Sequence, residues 1–268
     1  MQQIRIGVPE YISVRPLIYG LTRRQAPELE LVYHKPSVLA DLLSRGSIEA
    51  ALIPSIEYLR GVGEHRIDGP ALVTRATPGN VVLLVQKPLE AVGRIAVSEF
   101  CRSPVAALRV VLSELHGVSP DLCVSKSHPT GWREQFDGIL LSDDGGLQFL
   151  AERPTQDIAF YNISEMWDAL TSSPLVLDLW ACNDERLKAF LSKVLVTSRN
   201  LGIQNLSHLA DGIARTSPYH TELLYDYLSN CWDYQLSEAG LCGLRALESF
   251  ALRYDLVKRP RFAEAPTG

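Results

Sequence analysis

Short apolar runs alternate with stretches of helical periodicity from the first residues of the chain onward. Runs of this length and composition are typical of buried strands, and their alternation with helices is typical of α/β proteins with mostly parallel sheets. The pattern therefore predicts an α/β fold. The predicted strands span residues 4–7, 29–34, 48–53, 81–86, 94–98, 138–142, 157–161 and 175–181.

The pattern changes after residue 181, where helical periodicity takes over and no further strand is predicted. The predicted helices span residues 184–200, 206–215, 219–232 and 237–254.

This change predicts two lobes built from a discontinuous chain. We expect residues 1–84 and 178–268 to form the first lobe and residues 85–177 the second. The chain then crosses between the lobes twice, near residues 80–88 and 175–182. Two crossovers make a hinge, and the cleft that a hinge closes is a common place for a small ligand.

Two helix starts are candidate anion sites. Ser37 is predicted as the N-cap of one helix, and Ser103, followed by Pro104, as the N-cap of another that ends at Gly117. Free N–H groups and the positive dipole end at a helix start attract carboxylates. Arg102 stands beside the second start, so we expect a ligand carboxylate there, although an N-cap role alone also explains both serines.

Other polar positions follow predicted strand ends, where open α/β sheets bind ligands. Ser55 lies in a turn-rich segment, residues 54–58, directly after the strand at 48–53. Arg15 lies in the first loop and is either a carboxylate partner or an exposed arginine at a helix entry. Glu57 is predicted to be structural, because a carboxylate repels an anionic ligand.

Composition and charge narrow the function to a small-molecule protein. The 268 residues are 46% hydrophobic and 21% charged, and the net charge of −5 lacks the excess of Lys and Arg that nucleic-acid binding needs. The six histidines and five cysteines show no metal-ligand spacing, and no nucleotide-binding motif is present, so no cofactor is predicted. The absence of a signal sequence and of a long apolar run predicts a cytoplasmic protein with no membrane partner.

Several short motifs together resemble one family over nearly the whole chain. They are RIG at 5–7, YISVRPL at 11–17, PS at 36–37, RGSIEAALIPSIEY at 45–58, CRS at 101–103, LSD at 141–143, Trp167, the strand within 171–180, and SRNL at 198–201. In order and spacing they are similar to the chorismate dehydratases of the futalosine route to menaquinone.

The resemblance implies a type II periplasmic-binding-protein-like fold and a cofactor-independent lyase. Such an enzyme removes water from chorismate and gives 3-enolpyruvyl-oxybenzoate, clamping the carboxylates of its substrate in a cleft that excludes water. The predicted substrate-binding residues are Arg15, Ser37, Ser55, Arg102, Ser103, Asp143 and Thr171. Asp143 belongs to a Ser-Asp turn where the family has Gly-Asp, and Thr171 to a Thr-Ser pair where the family has Thr-Gly.

Two departures from the family pattern concern its key polar positions. Ser13 stands where the family usually has Asn, and Asn80 stands where it usually has Ser. The pair looks exchanged, which preserves one hydroxyl and one amide if both face the same cleft. On this basis Ser13 and Asn80 are the predicted catalytic residues, one holding the departing hydroxyl and the other a carboxylate.

Two alternatives remain open at this point. The fold class also hosts proteins that bind a small carboxylate without changing it. The departures at Ser13 and Asn80 also suit a dehydratase relative that has lost activity or acts on another cyclic acid. The sequence fixes neither the proton-accepting group nor the oligomeric state.

Overall fold

The computed structural model describes residues 3–23, 28–125, 131–152 and 157–262, which form two separate β-sheets with helices packed around them. The strands are β1 (Ile4–Val8), β2 (Leu29–Tyr33), β3 (Ala50–Pro54), β4 (His65–Thr74), β5 (Val81–Val85), β6 (Arg94–Ser98), β7 (Asp121–Ser125), β8 (Gly138–Ser142), β9 (Ala159–Asn162), β10 (Val176–Cys182) and β11 (Trp232–Gln235). The helices are α1 (Arg15–Arg23), α2 (Pro36–Ser44), α3 (Ser55–Leu59), α4 (Arg102–His116), α5 (Asp144–Glu152), α6 (Ile163–Thr171), α7 (Glu185–Gln204), α8 (Leu206–Ala214), α9 (Thr221–Asn230) and α10 (Glu238–Arg253).

The first sheet has six strands in the order β11-β4-β10-β3-β1-β2. β1 pairs in parallel with both β2 and β3, whereas β10 runs antiparallel between β3 and β4. All residues of β3 and β10 are buried, which explains their nearly continuous apolar sequences.

The second sheet has five strands in the order β7-β6-β8-β5-β9. β6 pairs in parallel with β7 and β8, and β5 runs antiparallel to β8 and β9. The chain passes from the first sheet to the second between β4 and β5, and it returns between α6 and β10. The fold is thus the predicted two-lobed α/β fold, while the lobe limits at residues 84 and 178 stay a prediction.

The strand predictions for residues 94–98 and 138–142 are confirmed residue for residue. Several other elements differ from the prediction, including β7, which was not predicted. Residues 54–58 do not form a turn-rich segment, because α3 begins at Ser55 directly after β3. A strand does return in the helical part, where β11 adds to the edge of the first sheet beside β4. β4 was not predicted, because it begins with the polar sequence HRID and so lacks a continuous apolar run.

The predicted N-caps are also wrong. Lys35 occupies the N-cap position of α2 and Cys101 that of α4, and neither side chain caps its helix. Ser37 and Ser103 therefore lie inside the first turn, with Pro36 and Pro104 beside them. The predicted end of α4 is confirmed, because Gly117 adopts the left-handed conformation at φ 65° that a helix C-terminus favours.

Two glycines allow close contacts between segments near the cleft. A Cβ atom on Gly146 would lie 2.2 Å from the carbonyl oxygen of Gly79, so the start of α5 packs directly on the crossover before β5. A Cβ atom on Gly202 would lie 1.9 Å from the carbonyl oxygen of Pro16, which brings α7 against α1. These contacts fix the first loop and the start of α5, and both border the cleft.

Candidate active site in the interlobe cleft

A cavity of about 280 Å³ lies between the two sheets, close to the lower end of the range of about 300–1,000 Å³ for small-molecule pockets. Tyr11 and Lys35 follow β1 and β2, which are parallel, and the other walls include the carboxyl ends of the parallel strands β6 and β8. The cavity therefore lies where open α/β sheets bind ligands. Its lining residues are Tyr11, Lys35, Ala96, Val97, Ser98, Phe100, Cys101, Ser125, Ile139, Leu140, Leu141, Ser142, Asp143, Asp144 and Gly145.

Three of these side chains form a hydrogen-bonded chain that ends on a buried carboxyl. The Ser142 hydroxyl donates to Oδ2 of Asp143 at 2.9 Å, and the Cys101 Sγ lies 2.9 Å from the Ser142 Oγ. Because the single hydroxyl proton of Ser142 is used on Asp143, the Cys101 thiol is the donor to Ser142. Burial raises the pKa of the Cys101 thiol to about 12, with the nearby Asp143 adding to the rise, so the thiol keeps its proton at neutral pH.

The position of Asp143 is held by its backbone. The residue adopts φ 53°, a left-handed conformation that Asp tolerates better than most residues. The Tyr227 hydroxyl donates to the carbonyl oxygen of Asp143 at 2.9 Å. This contact anchors the turn between β8 and α5 to α9, and so aims the Asp143 carboxyl at the cavity.

Burial makes Asp143 a weak acid. Loss of water around the carboxyl, together with the charge of Asp144, raises the pKa of Asp143 to about 7. Hydrogen bonding from Ser142, the positive charge of Lys35 and the nearby Ser13 hydroxyl oppose that rise. A carboxyl with this pKa exchanges a proton near neutral pH, which is what a general acid or base requires.

Two more carboxyls surround Asp143. Burial and the proximity of Asp143 raise the pKa of Asp178, which lies within the otherwise apolar strand β10. Burial also raises the pKa of Asp144, although the Ile12 N–H and the charges of Lys35 and Arg15 counteract it. Buried carboxyls that interact this closely do not all ionise together.

Lys35 supplies positive charge to this acidic site. Its ammonium lies 4.9 Å from the centre of the Tyr11 ring, in a cation–π arrangement, and it lowers the pKa values of Asp143 and Asp144. Burial, followed by the charge of Asp143, raises the pKa of Tyr11, so its hydroxyl stays a proton donor. The cavity thus combines one ammonium, neutral hydroxyls and a carboxyl that titrates near neutrality.

The predicted ligand-binding residues Ser55 and Ser103 contact each other and do not line the cavity. Their hydroxyl oxygens lie 3.2 Å apart, Ser103 accepts from the Ile56 N–H at 3.3 Å, and Ser55 donates to the Val176 carbonyl at 2.6 Å. Both residues are completely buried. They join the starts of α3 and α4, and therefore the two lobes.

Arg102 reaches across to the first lobe in the same region. Its guanidinium lies 3.3 Å from the Glu57 carboxylate and 3.8 Å from that of Asp41. Glu57 is buried and also pairs with Arg60 at 2.5 Å. The structural role predicted for Glu57 agrees with these ion pairs, and Arg102 is partly neutralised by carboxylates of the chain itself.

The two predicted catalytic residues occupy different environments. Ser13 is completely buried, its hydroxyl has no hydrogen-bond partner of normal geometry among the described residues, and its influence lowers the pKa of Asp143. Asn80 uses its whole amide on the protein. It donates to the carbonyls of Arg75 and Cys231, and it accepts from the Val81 N–H and the Ser164 hydroxyl. A direct role of either residue toward a ligand stays a prediction.

The remaining predicted residues lie around the cleft. Arg15 is exposed at the start of α1 and lowers the pKa of Asp144, Ser37 is buried in the first turn of α2, and Asp143 lines the cavity. Thr171, at the end of α6, donates to the Trp167 carbonyl at 2.9 Å. Asp143 is thus the member of the predicted set that faces the cavity directly.

The prediction overlooked Tyr11, Lys35, Cys101, Asp144 and Asp178. Asp178 could have been identified from the sequence, because a carboxylate within a buried apolar strand is energetically unfavourable unless it has a function or a partner. Lys35 directly follows the second predicted strand, at the same sheet edge as Ser37. Cys101 and Asp144 adjoin predicted residues, but their side chains meet the cavity only because α4 and α5 begin there.

The described residues contain neither a cluster of metal ligands nor a membrane-spanning helix. No three His, Cys, Asp or Glu side chains converge there as a metal ion requires. None of the helices in those residues is both long and apolar enough to cross a bilayer.

Two sheets joined by two crossovers, with a polar cavity between them, define a two-lobed protein of the periplasmic-binding-protein-like class. Solved structures share this fold. A protein from Archaeoglobus fulgidus, AF1704, superposes with a TM-score of 0.76 at 15% identity, covering 95% of this chain and 98% of that chain. The periplasmic aliphatic sulphonate binding protein SsuA from Escherichia coli gives 0.65 at 15% identity, covering 97% and 95%. The alkanesulfonate-binding protein SsuA from Xanthomonas axonopodis pv. citri, bound to MOPS, gives 0.61 at 17% identity, covering 97% and 95%.

A family model described as menaquinone biosynthesis matches residues 4–253. The chain belongs to this menaquinone biosynthesis family. The predicted membership in a menaquinone-pathway family with this fold is therefore confirmed.

Proposed function

We propose that this protein removes water from chorismate and releases 3-enolpyruvyl-oxybenzoate in menaquinone biosynthesis. One observation carries the proposal beyond the family. Asp143 presents a carboxyl with a pKa of about 7 to an interlobe cavity that also holds an ammonium and neutral hydroxyls. An elimination of water needs a proton donor of about this strength. A biosynthetic role also fits the cytoplasmic location that the sequence predicts.

The reaction breaks a C–H bond on one ring carbon and the C–O bond on its neighbour. The C–H electron pair becomes the new ring double bond, the proton goes to a base, and the hydroxyl leaves as water after it gains a proton. The product ring is aromatic, which supplies much of the driving force. We assign the proton donor to the neutral form of Asp143 and the base to a carboxylate of the substrate itself.

The anionic substrate needs positive partners in an acidic cleft. Lys35 lines the cavity and immediately precedes α2, whose first-turn N–H groups next to Ser37 point toward the helix start. We propose that Lys35 and this helix start hold one carboxylate. Arg15 stands at the edge of the site and strengthens the attraction, while Arg102 and Ser103 keep the lobes in the geometry that encloses the ring.

The test is direct. Purified protein is incubated with chorismate, and the products are separated by chromatography and identified by mass. We expect one aromatic product and no requirement for added metal or cofactor. Asp143→Asn should abolish turnover, whereas the matched change Asp226→Asn, at an exposed position on α9, should leave it unchanged.

A second candidate function is the capture of a small anion without chemistry, which the likeness to the sulphonate-binding proteins favours. The two functions separate in the Asp143→Asn variant. A dehydratase loses product formation and still binds chorismate. For a binding protein, the unaltered chain binds chorismate and never converts it, and that outcome would overturn the proposed reaction.

In either case Lys35→Gln should weaken chorismate binding about 10- to 100-fold, because a charged hydrogen bond contributes about 1.5–3 kcal/mol. Binding is measured by calorimetry in the Asp143→Asn background, where turnover does not interfere. Lys193→Gln, an exposed change of equal charge on α7, is the control and should have no effect.

A further inference from the structure

A second pocket, of about 410 Å³, lies between α1 and α8. We call it the arginine pocket, after Arg15, Arg23 and Arg215, which line it together with His208. Among the described residues, no Asp or Glu lines it. The chain as a whole has a net charge of −5. The positive charge of this pocket wall is therefore opposite in sign to that of the chain.

Two neighbouring side chains hold Arg23 in place. Nη2 of Arg23 lies 3.0 Å from Nε2 of His208, and the Arg23 guanidinium lies 4.5 Å from the centre of the Tyr19 ring. A guanidinium is always charged and can only donate, so His208 accepts this hydrogen bond through an unprotonated nitrogen. Stacking on Tyr19 and the bond to His208 orient Arg23 without neutralising it.

A polar atom in the same wall lacks a partner. The Ser217 hydroxyl oxygen is buried and has no hydrogen-bond partner among the described residues. A buried hydroxyl without a partner costs about 1–3 kcal/mol. An oxyanion in the pocket would accept a hydrogen bond from the Ser217 hydroxyl and would also bind the guanidinium groups. It would therefore remove the cost of the unpartnered hydroxyl.

From these observations we infer that the arginine pocket is a second binding site, for a compact anion that carries phosphate or carboxylate groups. Guanidinium groups bind both kinds of oxyanion in the same two-pronged way, and several of them on one wall suit a ligand with more than one negative charge. This inference does not depend on the proposed reaction.

The arginine pocket adjoins the cleft without belonging to it. Ile12 lines the pocket, and its N–H donates to Asp144, which lines the cleft cavity. Arg15 also lines the pocket and lowers the pKa of Asp144. An anion bound there changes the field on Asp144, so the two sites should influence each other reciprocally.

The experiment titrates the full chain with pyrophosphate and, separately, with citrate at low ionic strength, using calorimetry. We expect one saturable site for at least one of the two probes, and a preference between them identifies phosphate or carboxylate as the natural group. The double variant Arg23→Gln/Arg215→Gln should raise the dissociation constant at least about tenfold. Arg45→Gln, an exposed arginine at the end of α2, should change it by less than about twofold.

Ser217→Ala provides a variant that should fold at least as well as the unaltered chain, because it removes a buried hydroxyl without a partner. It should weaken anion binding while leaving the unfolding temperature unchanged or higher. Absence of saturable binding for both probes would overturn the inference. So would equal weakening by Arg45→Gln and by the double variant, because binding would then reflect only general surface charge.

Discussion

The carboxylate of Asp144 accepts a hydrogen bond from the backbone N–H of Ile12, with 2.9 Å between Oδ1 and the nitrogen. Ile12 follows β1 of the first sheet, and Asp144 opens α5 beside the second sheet. The bond therefore spans the cleft mouth. Since a carboxylate at a helix start also interacts favourably with the helix dipole, Asp144 stabilises both α5 and the closed arrangement of the lobes.

Removing this bond should loosen the closed arrangement. Asp144→Ala leaves the Ile12 N–H without its acceptor, and we expect faster amide exchange at Ile12 and weaker chorismate binding, by roughly five- to tenfold. Asp144→Asn keeps an accepting oxygen and should behave much more like the unaltered chain. Hydrogen exchange and calorimetry measure the two effects, and equal behaviour of the two variants would contradict the assignment.

The pH dependence of turnover should follow Asp143. If the neutral carboxyl donates the proton, activity is present at low pH and falls as the pH rises through about 7, where Asp143 loses its proton. A kcat profile between pH 5.5 and about 9 in a mixed buffer is the measurement. A profile that rises across this range would show instead that the ionised carboxylate is the active form, and hence a base.

Stability should depend on pH with the same group. The folded state binds the Asp143 proton up to about pH 7, whereas the unfolded chain releases it near pH 4. This group therefore stabilises the fold fully below about pH 4, and its contribution is lost as the pH rises through 7. Asp178, whose pKa is also raised, acts in the same direction.

Urea unfolding of the unaltered chain and of Asp143→Asn at pH 5 and 7.5 isolates this contribution. We expect Asp143→Asn to raise the free energy of unfolding at pH 7.5 by about 1–3 kcal/mol and to have a smaller effect at pH 5. Asn suits the backbone at φ 53° nearly as well as Asp, so the substitution adds little strain. A loss of stability at pH 7.5 would mean that Asp143 is stabilised as a carboxylate.

At Ser103 the sequence predicted the helix but not the contact that the side chain makes. The apolar stripe of α4, the proline beside its start and the glycine at its end predicted the helix and its place after a strand. They did not predict that the Ser103 hydroxyl would bind α3 of the other lobe. That contact depends on how two distant segments pack, and no local pattern records it.

The same limit applies to the acidic centre. The Ser-Asp turn led to Asp143 through resemblance, yet its function also depends on Lys35 and Asp178, which come from two other parts of the fold. Strands were predictable because burial dictates their composition over several residues. Side-chain partners and pKa values arise from single contacts between lobes, so they required coordinates.

Ser103→Ala should then act on stability more than on the ligand directly. The change removes the acceptor of the buried Ile56 N–H and one partner of Ser55, and we expect a loss of about 1–2 kcal/mol in the free energy of unfolding. Chorismate binding should weaken only as far as lobe closure does. A variant of unchanged stability with strongly weakened binding would restore the original prediction that Ser103 holds a carboxylate.

Asn80 and Ser13, the exchanged pair, should respond differently to single substitutions. Asn80→Ser removes an amide that serves four hydrogen-bond partners, three of them in buried bonds, and a serine cannot satisfy them all. We expect a loss of about 2–4 kcal/mol in the free energy of unfolding, because each abandoned group pays its own desolvation cost. Ser13→Asn places a larger polar group in a site that is already completely buried beside Asp143, so it should impair turnover by crowding.

The double variant decides whether the two positions act together. If Ser13 and Asn80 jointly hold the substrate, turnover per folded molecule should recover in the double variant above the product of the two single losses. Stability and kcat are measured on the same samples, so that unfolded protein is not counted as inactive enzyme. Multiplicative losses in kcat, together with a stability defect confined to the Asn80 change, would show that Asn80 is a structural tie at the crossover and that catalysis centres on Asp143.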